Sequence, residues 1–143
     1  MKKVIVLGAG LVGKEMAIDL SGKLDVTAVD INEDALGRIA RQGVKTQQLD
    51  FTNEERLKNI IAGADLVVGA VPGFLGFQTV KRVIEAGKNM VDISFFPEDP
   101  FELERDSSRI EHQGAIVIER VGLTGHCTKR PLRSRAAAGE WQV

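Results

Sequence analysis

At 143 residues, 43% of them hydrophobic and 27% charged, the chain is sized for one domain around a single core, which excludes a two-domain dehydrogenase. The lone Cys127 excludes an internal disulfide framework and suits a reducing cytosol; with no basic-then-apolar leader and no apolar run near about 20 residues, a soluble cytoplasmic protein is expected. Net charge is −1 but unevenly spread: residues 1–119 hold 14 Lys+Arg against 19 Asp+Glu, residues 120–143 five against one, and neither the acidic body nor a short basic tail with Trp141 as its only aromatic suits nucleic acid.

The first apolar run predicts a strand over 3–8 that leads straight into Gly8-x-Gly10-x-x-Gly13 and a helix over 11–22. Gly8 permits the tight turn, Gly10 leaves room for a pyrophosphate to approach the backbone, and Gly13 lets the helix pack closely. Ala9, Leu11 and Val12 fill the loop, and the first-turn amides offer partial positive charge to phosphate. A second strand over 25–30 ends in Asp30, 22 positions after Gly8. There a carboxylate accepts hydrogen bonds from an adenosine ribose and repels a 2′-phosphate. Ile31-Asn32-Glu33-Asp34 follow without a cation, so NAD is favoured over NADP.

Further along, helices are predicted over 33–42, 53–62, 74–87 and 100–112, and strands over 44–49 (the weakest), 65–71, 89–93 and 115–118. Thr52-x-x-Glu55 reads as a capping box and Asp99-Pro100 as a helix start, while Gly43, Gly63 and Gly87 are helix stops. Regular alternation with short connections means a doubly wound parallel sheet of order 3-2-1-4-5-6, a Rossmann fold, with its cleft between strands 1 and 4.

Ligands of such a sheet bind beyond the carboxyl ends of the strands. Asp50-Phe51, after strand 3, supplies an acid and a ring to flank the adenine, or a solvated acid and a core ring. Val71-Pro72-Gly73, after strand 4, keeps side chains out of the cofactor's path and frees amides near its nicotinamide half; simple turn chemistry explains Pro72-Gly73 as well. Asp92 and Ser94, after strand 5, either face the cleft or satisfy loop amides. His112 and His126 sit poorly for proton transfer, Cys127 lacks a partner base, and no metal-ligand cluster is apparent, so no catalytic or metal residue is expected. Residues 120–143 read as a poorly ordered basic tail beyond a dinucleotide-binding domain over 1–119, with a weak helical stripe at 132–138.

Val4 to Gly13, Ala70 to Phe77 and especially Asn89-Met90-Val91-Asp92-Ile93-Ser94-Phe95-Phe96-Pro97-Glu98-Asp99-Pro100 give a further expectation. Over about residues 1–118 the chain resembles the amino-terminal domain of the saccharopine dehydrogenase-like family, nearest its lysine 6-dehydrogenase-like branch. The resemblance implies an NAD(P)-dependent oxidoreductase of lysine-related metabolism, acting on a carbon that bears an amino group. It implies that Gly8, Gly10, Gly13 and Asp30 hold the adenosine and pyrophosphate, and that Val71-Pro72-Gly73, Asp92 and Ser94 border the nicotinamide. In that family a Gly-Val-Ala-Pro-Gly-like turn and a second domain follow strand 6, whereas here Glu119-Arg120-Val121-Gly122-Leu123-Thr124-Gly125-His126-Cys127 follow. A frameshift, a truncation or a natural single-domain descendant each accounts for this, and the chain alone is expected to bind without turnover. The competing expectation is an NAD-sensing regulatory module of the kind attached to potassium channels and transporters. Expected partners are thus the dinucleotide and a further copy in a homo-oligomer, with neither nucleic acid nor membrane.

Overall fold

A computed structural model of the protein describes residues 1–98, Leu103 and residues 117–119. The elements run β1 (Lys3–Leu7), α1 (Leu11–Ser21), β2 (Asp25–Asp30), α2 (Glu33–Ala40), β3 (Lys45–Gln48), α3 (Glu54–Ala62), β4 (Leu66–Gly69), α4 (Gly73–Glu85), β5 (Met90–Asp92) and β6 (Val117–Glu119). All strands are parallel, in the order β3-β2-β1-β4-β5-β6. This is the expected doubly wound sheet. The predicted helix over 100–112, apart from Leu103, which is helical and buried, lies outside the described residues, as do its Asp99-Pro100 start, the tail over 120–143 and the stripe at 132–138.

The central strands are apolar because both of their faces are covered. Val4, Val6, Val26, Ala28 and Val68 pack with Ala17, Leu36 and Ile39 on the side of α1 and α2. Ile5, Leu7, Val29, Val67 and Met90 meet Leu57, Ile61, Phe77, Val80 and Val83 on the side of α3 and α4. β3 reads weakly because it is the edge: Lys45-Thr46-Gln47-Gln48 is polar and largely exposed, and the buried Val44 and Leu49 lie just outside it.

Helix ends follow local chemistry, with one correction. The capping box at Thr52 does not form. Asp50 Oδ1 accepts hydrogen bonds from Thr52 N (2.8 Å) and Thr52 Oγ1 (2.7 Å), and the side chain of Asn53 caps α3 by accepting from Arg56 N at 3.0 Å. Asn is at least as good a cap as Thr, and the Asp50 carboxylate has already engaged the threonine hydroxyl. Asn32 caps α2 in the same way, from Ala35 N at 3.0 Å. Gly43 (φ 83°) and Gly87 (φ 65°) take the left-handed conformation expected of stops.

Candidate functional site

The three glycines of the first loop answer to different neighbours. Gly8, at φ 102°, lies where a Cβ would overlap the Ala70 carbonyl, and its amide donates to Val29 O at 2.8 Å, so it ties the ends of β1, β2 and β4 together. A Cβ on Gly13 would overlap the carbonyl of Gly8, which is the close packing of α1 on the loop. Gly10 differs from both: nothing lies within 4 Å of where its Cβ would be, and its φ of −66° suits any residue. No described residue requires a glycine there.

The four helix starts among the described residues fall into two kinds. α2 and α3 carry asparagine caps and acids in their first turns, Glu33 and Asp34 in one, Glu54 and Glu55 in the other. α1, capped by Gly10, and α4, capped by Pro72, have neither a side-chain cap nor a first-turn acid. These two follow β1 and β4, the strands on either side of the switch point, so the amides left without intrahelical partners open into the cleft. Beside them Leu11 (88% exposed), Val12, Phe74 (80%) and Phe95 stand in the open, while Ala9 is buried.

Asp30 stands at the carboxyl end of β2. Its Oδ2 accepts from Ala9 N at 2.6 Å and its Oδ1 from Asn32 N at 2.8 Å, so it fastens the glycine loop to the end of β2. Each oxygen keeps a second lone pair for a ribose hydroxyl. Ile31 is exposed, and its carbonyl accepts from Gln48 Nε2 at 2.9 Å. The alternatives left open after β3 resolve toward the core. The Phe51 ring is 5% exposed and packed in the α3–α4 cluster, hence not presented to an adenine, and its carbonyl accepts from Arg82 Nη1 at 2.8 Å. Asp50 is exposed, and its Oδ1 takes both hydrogen bonds from Thr52, which hold the carboxyl below its usual range.

Across the switch point, Val71 is buried and contributes only backbone to the cleft, and Pro72 takes φ −56°, ψ 146° as the N-cap of α4. Asp92, expected either at the cleft or on loop amides, does serve a loop amide at the carboxyl end of β5: it is 1% exposed, and its Oδ2 accepts from Ser94 N (3.1 Å) and from Ser94 Oγ. Its Oδ1 has no hydrogen-bond partner among the described residues. Burial pushes the carboxyl up to about 6, against the opposing pull of the two Ser94 hydrogen bonds. Three glycines make the bed for this segment. A Cβ on Gly69 would overlap Asp92 Oδ1, one on Gly73 the carbonyl of Phe95, and one on Gly76 would sit 2.6 Å from Ser94 Oγ. Sequence reasoning missed Gly69 and Gly76. Their signal was a glycine ending a buried strand and another inside a helix, where glycine costs about 1 kcal/mol relative to alanine.

The arrangement fits a dinucleotide. An open flank at Gly10, two uncapped helix starts and spare lone pairs on Asp30 stand in line along the carboxyl edge. His112, His126 and Cys127 lie outside the described residues. Among the described residues no helix is long and apolar enough to cross a membrane.

Comparison with known proteins agrees with this geometry. A family model described as the saccharopine dehydrogenase NADP binding domain matches residues 4–118. Mitochondrial alpha-aminoadipic semialdehyde synthase of Bos taurus is 29% identical over 127 residues, 85% of this chain and 13% of the bovine protein. The structure of apo saccharopine dehydrogenase (L-Glu forming) from Saccharomyces cerevisiae superimposes with a TM-score of 0.72 at 27% identity, over 86% of this chain and 28% of the yeast chain. Scyllo-inositol dehydrogenase from Lactobacillus casei, solved with NAD(H) and scyllo-inositol, shares the fold at a TM-score of 0.62 and 19% identity, over 85% of this chain and 36% of that one. The chain therefore spans about an eighth of the bovine relative and about a quarter of the yeast one.

Proposed function

The chain belongs to the saccharopine dehydrogenase NADP-binding domain family, and on that premise we propose that it binds a nicotinamide dinucleotide for an oxidoreductase acting on amine-bearing carbons. The observation that carries this reading is the pairing of Gly10, open on its flank, with two uncapped helix starts on either side of the switch point. The first-turn amides of α1 hold the pyrophosphate, Asp30 the adenosine ribose, and the carboxyl ends of β4 and β5, with Val71 to Gly73, Asp92 and Ser94, border the nicotinamide half. The bound cofactor supplies hydride acceptance, and the chain binds and orients it. A cytoplasmic setting goes with this reading and rests on the single cysteine.

We read the site as preferring NAD to NADP. Support comes from Asp30 at the end of β2, from Glu33 and Asp34 in the first turn of α2, and from the lack of Lys or Arg from Ile31 to Asp34. Thermal shift with each dinucleotide tests both statements. A ligand at 100 times its dissociation constant adds about 2.7 kcal/mol, which raises the Tm of a domain this size by several degrees. NAD is expected to stabilise more than NADP. Equal or greater stabilisation by NADP removes the assigned role of Asp30, and no stabilisation by either removes the binding itself.

A further inference from the structure

Asp92 is the one buried carboxyl among the described residues, and one of its oxygens has no partner. Among the described residues, its neighbours on the β4, α4 and loop sides are uncharged: Gly69 on β4, Met90 on β5, Ser94 beyond it, and Gly76 and Phe96 where α4 meets the loop. α4 carries its charges, Lys81, Arg82 and Glu85, on its second half, and Glu98 lies further along the chain. The backbone register sets Glu119 of β6 alongside Asp92. Among the described residues, burial and the two Ser94 hydrogen bonds act on this carboxyl, and no cation does. A buried carboxyl in such a place ionises against its surroundings, and a positive charge arriving nearby would act through a poorly screened medium.

The two redox forms of a nicotinamide cofactor differ in that respect, since the oxidised ring is a cation and the reduced ring is neutral. We propose that Asp92 selects the redox state of the bound dinucleotide: ionised, it favours the oxidised form; protonated, it favours the reduced form. The inference rests on the reading above that the carboxyl ends of β4 and β5 border the nicotinamide half. Asp92 acts by its charge through the Gly69–Ser94 wall, without touching the ring. By linkage, binding of the oxidised form releases a proton from Asp92 in the range where that carboxyl titrates, and binding of the reduced form does not.

The test is the affinity of the full chain for NAD+ and for NADH, by calorimetry and by NADH fluorescence, from pH 5 to pH 7.5. The ratio of affinities is expected to move toward NAD+ by about tenfold across this range, with a midpoint near the titration of Asp92, and to become flat in Asp92→Asn. Ser94→Ala removes a hydroxyl that favours the ionised carboxyl, so it moves the midpoint to higher pH. This second variant keeps the test decisive if Asp92→Asn fails to fold. A flat ratio in the wild type while both forms bind overturns the proposal and leaves the binding reading intact. A slope that survives Asp92→Asn and disappears in Glu119→Gln overturns it in favour of the neighbouring strand. Binding of neither form at any pH overturns both.

Discussion

Burial holds the Asp92 carboxyl at about 6 against an ordinary 3.8, so between those values the folded protein binds a proton that the unfolded chain releases. Stability from this group is therefore full below about pH 4, falls as pH rises toward about 6, and is flat beyond. Asp25, Asp50 and Asp65 lie below their usual range through hydrogen bonds from Lys45, Thr52 and Lys3 respectively, and they act in the opposite sense at lower pH. Comparison with Asp92→Asn cancels those shared contributions. The variant is expected to gain on the wild type as pH rises from 4 to 6.5, by about 2 kcal/mol, with the amide set against the orphaned oxygen's position. Urea unfolding of both proteins at several pH values measures it. A constant difference across the range would mean that the carboxyl is not sealed from water as described.

At the scale of elements, the glycine loop and α1 separate folding from binding. Gly8 and Gly13 are required by the chain itself, because their Cβ positions are occupied by the carbonyls of Ala70 and Gly8. Gly10 faces open space at an ordinary φ, so Gly10→Ala is expected to keep the fold within about 0.5 kcal/mol. The added methyl stands where the pyrophosphate meets the first turn of α1, and NAD affinity should drop at least tenfold. Calorimetry on the folded variant decides: undiminished affinity would place the phosphates elsewhere. The same elements show what could be read beforehand. The apolar runs of β1, β2 and β4 and the loop between β1 and α1 lead to the sheet order without coordinates, because each is a local pattern with a mechanism. The bed of Gly69, Gly73 and Gly76 beneath Asp92–Phe96 joins residues about 20 positions apart across two strands and a helix, and no local pattern reports such a contact. The contest between Thr52 and Asn53 for the α3 cap was decided by Asp50, whose carboxylate claimed the threonine first. Phe51 turned inward because the α3–α4 face of the sheet needed an apolar group beside Leu49 and Leu57.

At the scale of the whole molecule, the described residues form one wall of a cleft. Hydride transfer needs the amine-bearing carbon held about 3–3.5 Å from the nicotinamide, together with a base to take the amine proton. Along the carboxyl edge the described residues offer glycines, uncapped amides, exposed apolar side chains and carboxyls already engaged or buried; these grip a cofactor and leave a substrate without contacts opposite it. We therefore expect no reduction of NAD by this polypeptide with lysine, saccharopine or related amino acids, even at saturating cofactor, although the cofactor binds. The family match ends at residue 118, so deletion of residues 120–143 should change the dissociation constant for NAD less than twofold. Absorbance at the wavelength of NADH, followed with each amino acid, and calorimetry on the shortened chain check the two statements. Steady NADH production that is lost on deleting those residues would show that they complete an active site, and that the second wall of the cleft is built from this chain.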